Sequence, residues 1–192
     1  MKIKICGITN LEDAILAQEL GADLLGFILY EKSKRYVSIE DALDIKKHVK
    51  TPCVGVVVNK PVSEVRELLN HFDFIQLHSD EGCDYNISER LIKVYRVIDK
   101  TPFMDRCWDK NLILFDTYTE KYGGSGKSFD WSILKGIKRD FFVSGGLNPE
   151  NVLELLKTIK PYGIDASSGL EVKPGKKDPD KLGKFIKKVR NL

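Results

Sequence analysis

The chain has 192 residues, 42% of them hydrophobic and 31% charged, with a formal net charge of +3. A chain of that size and balance buries a core of its own, which excludes a disordered, collagen-like or staple-dependent miniprotein. The charge is too mild and too dispersed for a nucleic-acid partner, and no apolar run nears the roughly 18–20 residues that span a bilayer.

In chain order, short β-branched runs alternate with amphipathic helices. Residues 2–6 form the first strand candidate, and Thr9 with Glu12 reads as a capping box before the apolar positions Leu11, Ala14, Ile15 and Leu20, with Gly21 as the stop. Residues 24–28 form the second strand, and Ser38 with Asp41 opens a helix carrying Ala42, Leu43, Ile45 and Val49. Residues 54–58 form the third, followed by Pro61 at a helix start ahead of Val65, Leu68 and Leu69. The fourth strand is 74–77 and the fifth 91–98, with a weak helix near 86–90 between them. The sixth is 112–115 and the seventh 141–143, after which Asn148-Pro149 starts a helix with Val152, Leu153, Leu156 and Ile159. The eighth is 164–166, and Asp178-Pro179 starts the last helix, with Leu182, Phe185, Ile186 and Val189 on its apolar side. The lysines between 173 and 188 are interrupted by Pro174, Asp178, Pro179 and Asp180 and read as a solvated face.

Eight uniformly apolar strands alternating with helices predict an α/β fold, a compact (β/α)₈ TIM barrel filling one domain over residues 1–192. An open doubly wound sheet is the alternative, but it is usually built from fewer units. The stretch after the fifth strand contains Pro102 and no helical period, so its helix is expected to be short or missing. Cys6, Cys53, Cys83 and Cys107 make no C-x-x-C pair and stand at no metal-like spacing from His48, His71 and His78. Four free thiols, a reducing cytoplasmic setting and no metal or other cofactor are therefore expected. Residues 1–7, with Lys2 and Lys4, do not read as a signal peptide.

Barrel enzymes carry their chemistry where the strands' C-terminal ends meet. That rule selects Cys6, His78 and Asp116 at strand ends, Asp165 in the eighth strand and Arg35 in the loop after the second. A cysteine is ordinarily a small buried hydrophobe, but Cys6-Gly7 stands just ahead of a capped helix, an environment expected to favour the thiolate. Asp116 follows four apolar residues, and a carboxyl group sheltered from water suits a proton donor as readily as a loop cap. Ser144-Gly145-Gly146 and Ser167-Ser168-Gly169 follow the seventh and eighth strands, where barrels commonly hold phosphate on backbone N–H groups. The run from Gly123 to Ser128 fails as a P-loop because Lys121 stands where a glycine is needed, and as a dinucleotide fingerprint because of Phe129. It is expected to be a loop over the pocket, hinged at its glycines.

Together these segments resemble the phosphoribosylanthranilate isomerase family of tryptophan synthesis over nearly the whole chain. The resemblance rests on Lys4-Ile-Cys-Gly-Ile-Thr9, Gly26-Phe27, Ser33-Lys-Arg-Tyr-Val37, Gly55-Val-Val-Val-Asn59, Gln76-Leu-His78 and Phe115-Asp116. It continues through Gly124-Ser-Gly-Lys-Ser-Phe-Asp-Trp131, Ser144-Gly-Gly-Leu147 and Asp165-Ala-Ser-Ser-Gly-Leu-Glu171. It implies an Amadori rearrangement of a phosphoribosyl anthranilate, with Asp116 as general acid, Cys6 as general base, and neither redox chemistry nor a metal. It further implies that Arg35 meets the anthranilate carboxylate, that His78 and Asp165 support the pocket, and that Gly145, Gly146, Ser167, Ser168 and Gly169 hold the phosphate. The implied partner is this small molecule, with no nucleic acid or membrane, and the implied assembly is a monomer or homodimer. Lys34 replaces the family's usual proline before Arg35, and Ser79 replaces a usual glycine, so the backbone at Ser79 must avoid positive φ. Two rivals remain: the sister isomerase of histidine synthesis, which uses two aspartates, and a barrel that binds sugar phosphates without turnover.

Overall fold

Unbroken apolar strands need cover on both faces, and closure into a barrel supplies it without leaving an edge. The computed structural model describes residues 1–118 and 128–191, so nearly all of the glycine-rich 123–128 stretch lies outside the described residues. The strands are β1 (Lys2–Cys6), β2 (Leu24–Ile28), β3 (Cys53–Val57), β4 (Phe74–Leu77), β5 (Leu91–Val97), β6 (Leu112–Thr117), β7 (Phe141–Val143) and β8 (Gly163–Ala166). They pair in parallel in sequence order, and β8 returns to β1 through Ile3 opposite Ile164 and Lys4 opposite Asp165.

The two-residue side-chain period sorts each strand into an inner and an outer set. Ile3, Ile5, Leu25, Phe27, Ile113 and Phe115 face outward into the main core. Leu24, Val54, Val56, Ile92, Val94, Leu114, Phe142 and Cys6 form a second cluster that fills the barrel. At Gly163 the β8 backbone passes so close to Phe142 that a side-chain carbon would stand 2.3 Å from that ring.

Five α-helices cover five of the connections among the described residues: α1 (Leu11–Glu19), α2 (Ile39–Lys46), α3 (Val62–Leu68), α4 (Val152–Thr158) and α5 (Pro179–Arg190). Ser38 caps α2 by accepting from the Asp41 N–H, and Asp178 caps α5, which carries Pro179 at its first position. Helix α1 differs from expectation in its cap: Asn10, not Thr9, accepts from the Asp13 N–H. Asn148 turns the chain by accepting from the N–H groups of Glu150 and Asn151, and α4 itself begins at Val152.

The connection after β5 holds only a 3-10 turn over Arg106–Trp108, as expected from Pro102. The weak helix near 86–90 is absent; the β4 connection forms a 3-10 turn at Cys83–Tyr85 instead. The described residues after β6 likewise form only a 3-10 turn, Trp131–Leu134. The four cysteines are not all free thiols, because Cys83 and Cys107 form a disulfide that ties these two turns together. Their separation of 24 residues carries no pairing signal in the sequence, and only folding of β4 and β5 side by side brings their loops into contact. Beyond β8, a 3-10 turn (Ser168–Leu170) leads into an antiparallel hairpin of β9 (Glu171–Lys173) and β10 (Lys176–Lys177).

Candidate active site

The inner set of side chains changes from apolar to polar toward the C-terminal end of the barrel. Cys6 ends β1 on the inner face, 6% exposed, with Gly26 of β2 beside it in the register. Asp116 lies one residue inside the end of β6, because that strand runs two residues further than its apolar run. β7 and β8 separate β6 from β1 on one side, so the two groups stand on different walls of a shared mouth.

Asp116 is held on both oxygens. Oδ1 accepts from the Thr117 N–H at 2.9 Å, and Oδ2 lies 3.3 Å from His78 Nε2. Gln76, buried inside β4, lies with its amide nitrogen 3.1 Å from His78 Nδ1. An amide donating to Nδ1 leaves the proton on Nε2, aimed at Asp116. Ser79 has no positive φ, as expected; Asn59 is the one non-glycine residue with positive φ among those described. Arg96 pairs with Asp116 in the β5–β6 register, contacts Asp80 at 2.9 Å and stacks over Tyr118.

Around Cys6 the surroundings are charged. Lys4, one inner position below it, bonds Asp165 Oδ1 at 3.0 Å with both side chains buried. Asp165 is thus engaged within the barrel, level with Lys4. Lys177 reaches in from β10 to donate to the Cys6 carbonyl at 2.7 Å and to Glu171 at 3.0 Å. Glu171 in turn receives Arg35 through Nε at 2.8 Å and Nη2 at 2.8 Å. Arg35 is therefore fixed in place by β9 despite Lys34 replacing a proline, and its Nη1 makes no hydrogen bond among the described residues.

The expected preference of Cys6 for the thiolate is not what the surroundings favour by themselves. α1 starts four residues beyond Gly7 and the sulfur points into the barrel, so burial dominates and pushes the thiol up, with Lys4 pulling part of the way back. Burial also opposes ionisation of Glu171, but Arg35 and Lys177 outweigh it and hold that carboxyl below its usual range. Cys53, buried on the outer face of β3, is pushed up to about 12 by burial and stays an inert core thiol.

The two glycine-bearing loops come together. Gly145 and Gly146 have φ of 98° and 65°, a left-handed backbone that glycine alone adopts freely. A side-chain carbon at Gly145 would collide with the Thr117 side chain, and one at Gly169 would stand 2.2 Å from the Leu147 carbonyl, so the β8 loop packs against the backbone of the β7 loop, which itself presses on the end of β6. Residues 144–146 and 167–169 are half-buried, open to a ligand from the mouth. The hydroxyls of Thr117 and Ser167 are buried without a hydrogen-bond partner among the described residues. Buried polar atoms are seldom left so, and a bound anion would satisfy them.

Lys4, Gln76, Glu171 and Lys177 belong to this site, and the strand-end rule did not select them. A lysine at an inner position of an otherwise apolar strand was the available signal for Lys4. Nothing in the sequence marks the reach of Lys177 from the hairpin.

The family model for N-(5'-phosphoribosyl)anthranilate isomerase matches residues 3–188. A relative of that name from Aquifex aeolicus is 46% identical, the match covering 100% of this chain and 99% of the relative. The crystal structure of phosphoribosyl anthranilate isomerase from Thermotoga maritima superposes with a TM-score of 0.88 at 41% identity, each chain covered in full. A structure of such an isomerase in complex with reduced 1-(o-carboxyphenylamino)-1-deoxyribulose 5-phosphate gives a TM-score of 0.85 at 37% identity, again with full coverage of both chains.

Proposed function

The chain belongs to the N-(5'-phosphoribosyl)anthranilate isomerase family, and from that premise we propose how its residues divide the work of the Amadori rearrangement. The enzyme is an isomerase of tryptophan synthesis, which opens the phosphoribosyl ring and moves a proton from C2 to give the amino-deoxyribulose phosphate. Asp116, as the carboxylic acid oriented by His78, gives its proton to the ring oxygen. The C1–O bond breaks toward that oxygen while the amine lone pair forms C1=N. Cys6 then takes the C2 proton; the released electron pair forms C1=C2, and the C1=N pair returns to nitrogen. The resulting enolamine relaxes to the ketone, with a proton added at C1 and one lost from the C2 hydroxyl. No net oxidation occurs, so the chemistry requires no redox partner.

The observation that supports this reading most is the presence of two proton-transfer groups on different inner walls, Cys6 on β1 and Asp116 on β6, with Asp116 oriented by His78 and the Thr117 N–H. The phosphate is assigned to the Gly145–Gly146 and Ser167–Ser168–Gly169 loops, whose orphan hydroxyl at Ser167 would gain a partner. Arg35 is assigned to the anthranilate carboxylate, which Nη1 would meet while Nε and Nη2 stay on Glu171. Asp165 acts from below, through Lys4.

One domain spans residues 1–192 in this reading, and the partner is the small substrate alone, with no nucleic acid. Since every assigned residue comes from one chain, a monomer or a homodimer serves equally. No helix among the described residues is long and apolar enough to cross a membrane. A biosynthetic role favours the cytoplasm; the Cys83–Cys107 bond weighs against it, because reducing compartments rarely keep disulfides.

Following the loss of phosphoribosyl anthranilate fluorescence tests the assignment. Cys6→Ala and Asp116→Asn should each lower kcat by roughly 10²–10⁴-fold with the fold intact. A variant that keeps near-parent kcat removes its residue from the mechanism.

A further inference from the structure

Lys4 is fully buried and belongs to no binding surface, yet a bare ammonium in the interior would shed its proton. It keeps its charge: burial acts against the ammonium, but Asp165 and then Cys6 outweigh it and raise its proton affinity. Gly26 of β2 leaves the room for this arrangement. A side-chain carbon there would stand 2.7 Å from Cys6 Sγ and 3.1 Å from Lys4 Nζ, so both atoms border one point. The charges acting on the sulfur are Lys4 on β1, Asp165 on β8 and Lys177 on β10, with Glu171 on β9 and Arg35 behind Lys177. Three cations stand against two carboxylates, and a thiolate at Cys6 makes the buried set neutral.

We propose that Lys4 is a positioning residue for the proton transfer at C2: its ammonium, oriented by Asp165, holds the negative charge on the nearly buried Cys6 sulfur. The proposal rests on the reading of Cys6 as the base. At 6% exposure water solvates a thiolate poorly, so a fixed charge must do much of that work, and Lys4 is the cation nearest the sulfur on its own strand. Asp165 tempers it, since its carboxylate opposes charge on Cys6 while keeping the lysine protonated.

The test is the pH dependence of Cys6 alkylation by iodoacetamide in the full-length protein, with Cys6→Ser subtracted as background. Cys53 is buried, which pushes its thiol up to about 12, and Cys83 and Cys107 are bonded, so none of them competes. Lys4→Met should slow alkylation at pH 8 at least tenfold and move the Cys6-dependent limb of kcat/KM upward by the same interval. Lys4→Arg, which keeps the charge, should restore most of the rate. Asp165→Asn, which leaves the buried ammonium without the carboxylate that orients it and keeps it protonated, should move both readouts in the same direction as Lys4→Met, and it tests the question even if Lys4→Met fails to fold. Alkylation midpoints that stay put in both variants, or that move downward in the lysine variant, overturn the proposal. A shifted alkylation midpoint with an unmoved kcat/KM limb also overturns it, and in that case the fault lies with Cys6 as the base.

Discussion

The barrel has two unlike sides. From β7 through β8 and β1 to β3, each connection carries an α-helix, and the outer strand residues pack against Ala14, Ala17, Ala42, Val65, Leu155 and Phe185. From β4 to β6 the described connections carry only 3-10 turns. There the cover is Trp108, fully buried, with Lys93 beneath it at 5.8 Å from the ring and bonded to Ser79 O and Glu81, while the Cys83–Cys107 bond closes the layer. The difference teaches that a parallel strand needs apolar mass over its outer face, not a helix as such. The proposed catalytic pair draws on both sides: Cys6 stands among the charges of β1, β8 and the β9–β10 hairpin, and Asp116 stands on the helix-poor side with His78 and Gln76.

The comparison can be broken most sharply at the two large anchors. Trp108→Ala and Phe185→Ala should each cost about 3–5 kcal/mol in urea unfolding, since both are fully buried aromatic residues. A Trp108→Ala cost below about 1 kcal/mol would mean that the helix-poor side is held by something other than its core. Next in size, Cys83→Ser should cost about 3 kcal/mol, the magnitude expected for closing a loop of this length. Dithiothreitol should lower the melting temperature of the parent to that of the variant, and an unchanged melt would show that the bond contributes nothing to the cover.

The smallest effect concerns acid. Glu171 is held below the usual carboxylate range by Arg35 and Lys177 against its own burial. A depressed folded-state value means that this contribution is present above the unfolded carboxylate pKa and is lost as pH falls through the folded one. Glu171→Gln should therefore flatten the acid limb of the stability curve, measured as melting temperature from pH 6 down to pH 3. Equal slopes in parent and variant would remove Glu171 from the acid response.

Strand positions were legible because the outer and inner faces are both apolar, so a run such as Leu112-Ile-Leu-Phe115 announces itself without a partner. The caps at Ser38 and Asp178, and the missing helix after β5, are local effects of side chain and proline and were legible for the same reason. The strand-end rule and the family resemblance also brought out Cys6, His78 and Asp116. Only the tertiary structure decided what surrounds them. Asp165 turns to Lys4, Arg35 to Glu171, and Lys177 to the Cys6 carbonyl, each across contacts that barrel closure creates between distant segments. The disulfide and the proton affinity of Cys6 belong to the same class. A sequence carries its hydrophobic period within a few residues, whereas burial and the sign of the neighbouring charge exist only once β8 has met β1.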